Sequence, residues 1–208
     1  SIPPHDLGEV IDAVMAYIDN PDISTRELME YMPGPDFPTG GIIANKSGLA
    51  EIYETGSGKI KLRGKIDIEL GKRKADKDKM VITEIPYTMI GAGINKFLVD
   101  VAELVESKKL TDVVDISNQS NKDGIRIVLE LKKDADVEKI RNILYKKTKL
   151  EDTYGVNMLA IAGGRPETLN LKGILKNYLD FQYHNATRKY QALLEKELEK
   201  KEIREGLI

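Results

Sequence analysis

Apolar and polar positions alternate along this chain in two rhythms. Val10, Ile11, Val14, Met15 and Ile18 recur at helical spacing behind Asp6 and Glu9, a capping box that opens a helix; Asn20-Pro21 stops it. Ser24 and Glu27 form a second box for a short helix through Tyr31. The rhythm then breaks at "PGPDFPTGGII", residues 33–43, where a stiff Pro/Gly loop ends on two bare isoleucines. Ile42, Ile43 and Ala44 read as a short strand, and Ser47 as the cap of a helix ending at Gly56. In "KIKLRGKIDIEL" the period becomes two. Ile60, Leu62, Ile66, Ile68 and Leu70 take one face of a strand, and Lys59, Lys61, Arg63 and Lys65 the other. The turn "GKRKADKDK" returns it as a hairpin through a strand from Met80 to Ile85.

From there the pattern predicts strand 80–86, helix 94–106, strand 111–117, strand 125–131, helix 136–147 and strand 153–162. This is β-α-β-β-α-β, the ferredoxin-like order, with helices on one face of a sheet. Gly163-Gly164-Arg165-Pro166 closes the unit. Beyond it, Leu175, Leu179, Tyr183, Ala186, Tyr190 and Leu193 stripe a long helix at three- and four-residue spacing. Its start should pack on the domain and its far end should project into solvent or against another helix. A helical hairpin lacking its return limb and a dimeric coil both fit. The fold class is α+β.

Composition narrows the chemistry. The chain of 208 residues is 41% hydrophobic and 32% charged, so it can bury a core. It has no cysteine, which excludes disulfides, thiolate zinc sites and a thiol nucleophile. His5 and His184 are the only histidines, too far apart in sequence to suggest a histidine metal site. No apolar run approaches membrane-spanning length, and "SIPPHDLGEV" does not resemble a signal peptide. It reads as the middle of a longer cytoplasmic protein.

Charge is unevenly spread. Residues 1–54 hold two basic side chains against ten acidic ones; residues 55–79 hold nine basic against four acidic. Such a basic block can be a polyanion contact or an ordinary solvated face. No catalytic constellation stands out, neither a P-loop nor a GxSxG motif. Gly91-Ala92-Gly93 fits a simple strand-to-helix turn. Asp76, Asp78, Asp134 and Asp136 fit turns and caps, Tyr53, Tyr87 and Tyr154 fit packing, and His5 fits local hydrogen bonding. What remains is a rigid loop presenting isoleucines next to a basic strand face. DNA-bending proteins pair an apolar wedge with cations on the flanking phosphates; consecutive isoleucines in a strand can equally be core.

"IPPHDLGEVIDAV", "EYMPGPDFPTGGII", "YETGSGKIKLRGK", "ITEIPY", "DGIRIVLELKKDA", "LYKKTKLEDTYGVNMLAI" and "LNLKGILKNYL" resemble, in this order, the A subunit of bacterial type IIA topoisomerases, gyrase or topoisomerase IV. The resemblance implies a helical lead-in over 1–31, a tower domain over 32–168 and the first coiled-coil helix over 169–208. It implies that Ile42 intercalates and bends the gate DNA segment, with Pro38 and Thr39 shaping its approach. Lys59, Lys61, Arg63 and Lys65 are backbone contacts on strand alternation alone. The implied partners are double-stranded DNA, a B subunit, plus a second copy of the A subunit, with no membrane and a cytoplasmic, nucleoid-associated location. The catalytic tyrosine and the DNA-wrapping domain would lie outside these residues, and ATP and Mg2+ would belong to the B subunit. The chain itself would then cleave nothing and bind no nucleotide or metal.

The chain departs from the family pattern at two places. Ser57 stands where the family usually has arginine, and the stretch between Tyr87 and Lys96 is longer than in most members. A regulatory or RNA-binding ferredoxin-like module with a helical dimerisation arm is the alternative. An RNA-binding sheet would want aromatics on its central strands, and "RIVLEL" and "VVDIS" have none. A structural spacer is the third reading.

Overall fold

A computed structural model describes residues 1–206; Leu207 and Ile208, the end of the expected coiled-coil helix, lie outside the described residues. Helix α1 (Leu7–Asp19) starts where Asp6 accepts the Glu9 N–H at 3.0 Å. Ser24 caps α2 (Thr25–Leu28) in the same way, through the Glu27 N–H. That helix ends before the expected Tyr31, and turns continue the chain. After β1 (Ile42–Ile43), Ser47 does not cap a helix. It lies inside a single 3-10 turn over Lys46–Gly48, and α3 (Leu49–Thr55) follows with no side-chain cap. Gly56, at φ 85°, terminates α3 as expected. Next come β2 (Ser57–Arg63), β3 (Lys65–Glu69), β4 (Lys79–Glu84), α4 (Ala92–Glu106), β5 (Val113–Asn118) and β6 (Ile127–Leu131). The chain continues through α5 (Val137–Lys147), β7 (Glu151–Asn157), β8 (Leu159–Ala162), β9 (Arg165–Thr168) and α6 (Leu171–Gly206).

The architecture is α+β, with antiparallel sheets in the orders β1-β2-β7, β3-β4-β6-β5 and β8-β9. Two corrections to the sequence reading follow. The alternating run 59–70 is not one strand. It breaks at Gly64, so that β2 joins the first sheet and β3 the second. The strand expected over 153–162 does not close the second sheet. It divides at Met158, and β7 pairs along its whole length with β2. The β3–β4 hairpin takes the vacated edge, because a local turn closes with less loss of chain entropy than a distant strand. A third element, the β8–β9 hairpin, turns on Gly163 and Gly164, both at positive φ as a two-residue turn requires.

Two cores result. Helices α4 and α5 bury Phe97, Val101, Ile140 and Leu144 against Met80, Ile82, Ile127 and Leu129 of the second sheet. The other core joins Ala13, Leu28, Ile52 and Tyr53 of α1–α3 to Ile60 and Leu62 of β2 and Val156 of β7. Helix α6 enters this second core through Leu171 and Leu175. Beyond Leu179, which is half-buried, its large apolar residues among the described side chains, Phe181, Tyr183, Tyr190 and Leu193 among them, are exposed. Its 36 residues reach about 54 Å.

Gly64 is buried where the two sheets meet. Its N–H donates to the Leu150 carbonyl at 2.8 Å, and its carbonyl accepts the Tyr145 hydroxyl at 2.8 Å. A Cβ there would lie 2.5 Å from Leu150 Cδ1 and 2.8 Å from the Glu84 carbonyl oxygen. Gly64→Ala should therefore destabilise the chain by about 1–3 kcal/mol through overpacking. A urea unfolding midpoint that matches wild type would refute the crowding.

Candidate nucleic-acid interface

The Pro/Gly loop is tied down at both ends. Phe37 is buried, with its ring centroid 5.5 Å from Tyr87 and 5.4 Å from Tyr154. The Asp36 N–H donates to the Pro4 carbonyl at 2.8 Å. The neighbouring Pro3 is held in turn by His5. His5 Nδ1 lies 2.8 Å from the Pro3 carbonyl, which can only accept, so Nδ1 carries the proton. His5 Nε2 then accepts the Tyr53 hydroxyl at 2.7 Å. Burial lowers the His5 pKa below its ordinary value and raises that of the Tyr53 phenol, so both stay neutral.

At the exit, Gly40 and Gly41 adopt φ of 70° and 101°. The Gly41 N–H donates to Glu84 Oε1 at 2.9 Å, and a Cβ on Gly40 would strike the same carboxylate. The Ile85 N–H reaches the Thr39 carbonyl at 3.4 Å. Thr39 Oγ1 is buried and finds no hydrogen-bond partner among the described residues, while Pro38 is exposed.

Strand β1 delivered by this loop pairs Ile42 with Arg63 and Ile43 with Leu62. Pairing and alternation place Ile42 on the outer face of the first sheet with Arg63, Lys61 and Lys59. Ile43 turns inward and packs on the second core with Ile60 and Leu62. Ile42 is 47% exposed, while Ile60 and Leu62 are each 1% exposed. Asn45, which the sequence did not single out, prolongs the β1 edge. It donates to the Lys59 carbonyl and accepts the Lys61 N–H, both at 2.9 Å.

The four basic residues expected on one strand face do not share one. Lys65 stands on β3, across the Gly64 break, with Nζ 3.9 Å from Glu84. Arg63 pairs with Glu151 at 2.5 Å and lies 5.1 Å from the Tyr145 ring centre. Lys59 and Lys61 are exposed and have no ion-pair partner among the described residues. The outer face therefore combines two free cations, one held guanidinium and one exposed isoleucine. Lys96, across the stretch that departs from the family pattern, lies on α4 and pairs with Asp100 at 3.4 Å. Among the described residues no histidine, cysteine or carboxylate cluster suits a metal ion, and no helix is long and apolar enough to cross a membrane.

The model of one protein family, the A subunit of DNA gyrase/topoisomerase IV, matches residues 1–208. The chain belongs to this family. It is 48% identical over 207 residues to the A subunit of DNA gyrase from Clostridium acetobutylicum, covering 100% of this chain and 24% of that protein. It is 43% identical to the chloroplastic/mitochondrial A subunit of DNA gyrase from Nicotiana benthamiana, over 100% of this chain and 22% of the relative. The Pseudomonas aeruginosa gyrase A chain is 40% identical over 99% of this chain and 22% of its own length. This gyrase/topoisomerase IV A-type chain thus spans about a quarter of the curated relatives it matches.

The His5 contact gives the loop anchor a pH dependence. With a folded pKa below 6.5, the unfolded chain takes up a proton that the folded chain refuses. The contribution is complete above 6.5 and is lost as pH falls from there through the lowered folded value. Thermal unfolding at about pH 7.5 and about pH 5.5 should show a smaller acid shift in His5→Gln than in wild type. Equal shifts would remove His5 as the cause.

Proposed function

We propose that this chain is the part of a type IIA DNA topoisomerase A subunit that holds the gate duplex beside the site of cleavage. In this reading residues 1–31 lead in from an upstream DNA-cleaving domain, 32–168 form the tower domain and 169–208 start the coiled-coil arm. The parent isomerase would act in the cytoplasm on nucleoid DNA, as an A-subunit dimer with B subunits. ATP and Mg2+ are assigned to the B subunit.

The observation that carries it is the outer face of the first sheet. Lys59 and Lys61 project from a strand whose other side is sealed into the core. Their ammonium groups suit phosphate contacts that release condensed counterions. Arg63, already paired with Glu151, keeps its place in the row and can exchange that partner for a phosphate. Lys65 contributes from the neighbouring sheet by releasing Glu84. These contacts position the duplex without reading sequence. The cleaving tyrosine is assigned to the upstream domain.

Ile42 adds an apolar contact on the same face. It stands in a hydrogen-bonded strand opposite Arg63 rather than at the tip of a projecting loop. Pro38 and Thr39 rigidify its approach. Insertion between base steps requires the duplex to lie directly across this sheet, which is where contacts from Lys59, Lys61 and Arg63 would hold it, so Ile42 is assigned as the wedge that enters the stack and bends the gate segment.

In the assembled enzyme, Lys59→Ala with Lys61→Ala should weaken duplex binding and lower the salt slope by about one unit per lost phosphate contact. Unchanged affinity and slope would make the face ordinary surface. Ile42→Ala should lose the FRET-measured bend of the gate duplex while nonspecific binding stays largely intact. A wild-type bend would rule out Ile42 as an inserted wedge.

A further inference from the structure

The far end of the second sheet carries cations that the reading above does not use. Strand β3 leads away from the Gly64 junction, and roughly 17 Å of strand separate Gly64 from Glu69. The β3–β4 turn beyond it exposes Lys72, Arg73, Lys74 and Lys77. The topology brings a second source of charge to the same end. Glu69 pairs with Lys79, Lys79 pairs with Glu130, and the Leu131 N–H donates to the Asp78 carbonyl at 2.9 Å. Lys132 and Lys133 therefore leave β6 beside the turn, both exposed.

Carboxylates lie at this end too, but most are occupied by backbone. Asp76 accepts the Arg73 N–H at 3.1 Å and Asp78 the Gly71 N–H at 2.8 Å. Asp112 accepts the Asp136 N–H at 3.3 Å, and Asp136 caps α5 through Lys139. Glu69 instead holds the Arg126 guanidinium at 2.9 and 3.0 Å, and Asp134 and Glu130 accept no side-chain hydrogen bond among the described residues. Among the described residues none of the six cations has an ion-pair partner. Lys79, flanked by Glu69 and Glu130, is locally compensated and is not counted with them. The turn is tightly folded, since a Cβ on Gly71 would strike the Asp76 carbonyl oxygen. Compact folding, with Asp76 and Asp78 tied to the turn's own backbone, presents the exposed cations without first having to order a loose loop.

We propose that this cationic rim, Lys72, Arg73, Lys74 and Lys77 with Lys132 and Lys133, is a second contact for the phosphate backbone of duplex DNA, separate from the β2 face. The proposal rests on the DNA-holding role inferred for the parent enzyme. At about 3.4 Å of duplex per base step, the rim meets DNA about five or more base pairs from any phosphate held near Gly64. It therefore engages only a duplex long enough to extend past the first contact.

The test measures binding against salt concentration in the complete enzyme, A and B chains together, using a long duplex of about 60 base pairs and a short one whose ends stop less than about five base pairs beyond the phosphates held at the β2 face. Lys72, Arg73, Lys74 and Lys77 are changed together to Gln, leaving Asp76 and Asp78 to hold the turn. On the long duplex the salt slope should fall by about one unit per contact removed, up to about four, with little change on the short one. Lys132→Gln with Lys133→Gln should give a smaller loss of the same kind. Wild-type slopes for both variants on the long duplex, or equal losses on both duplexes, would overturn the rim as a separate contact. A Lys59→Ala/Lys61→Ala enzyme measured in parallel keeps the two ideas apart. If it alone is unaffected, the β2 face fails and the rim stands; if it alone loses slope, the rim fails and the face stands.

Discussion

Between the two sheets the main chain passes Leu150 with no room for a methyl group at Gly64. On one side of that point β2 gives its apolar residues to the helical core of α1–α3; on the other, β3 gives its own to α4 and α5. Hydrogen bonds from Gly64 to Leu150 and from Tyr145 to Gly64 fix the crossing. Once β2 is committed to the first sheet, β7 has a seven-residue ladder to join, and the second sheet takes the β3–β4 hairpin as its edge. The placement of Arg63 and Lys65 on different sheets follows from the same residue.

The loop at Pro33–Gly41 depends on that frame from both sides. Glu84, at the end of β4, holds the Gly41 N–H while lying near Lys65. Phe37 reaches across to Tyr87 and Tyr154, and Asp36 reaches back to Pro4. One carboxylate, one aromatic trio and one backbone contact thus set which isoleucine faces out. Ile42 lands opposite Arg63 because the register starts there, and Ile43 lands on Leu62.

Local signals were legible in the sequence. The caps at Asp6 and Ser24, the Gly56 stop and the alternation of β2 all formed, since each depends on residues a few positions apart. Sheet membership was not legible. Leu62 and Ile66 share the same parity across Gly64, so an alternating pattern looks identical whether the strand continues or changes sheets. The β8–β9 hairpin was missed although Gly163-Gly164 is its two-residue turn, because the apolar run before it reads straight through Met158. In the candidate interface, alternation placed Lys59, Lys61 and Arg63 together. The partners of Arg63 and Lys65, Glu151 and Glu84, come from other strands and only the fold reveals them. Asn45 gave no signal at all, since its role is to complete an edge whose partner strand is distant in sequence.

Helix α6 joins the body through Leu171 and Leu175, and most of its length lies beyond them. Mechanically it is a lever with a short load arm. For a rod of about 54 Å, a tilt of about 5° at the anchored turn carries the far end through about 5 Å. A rearrangement around α1 and α3 too small to disturb their packing could therefore be felt at the tip as a displacement of side-chain size, and a force applied at the tip returns to the same core that backs β2.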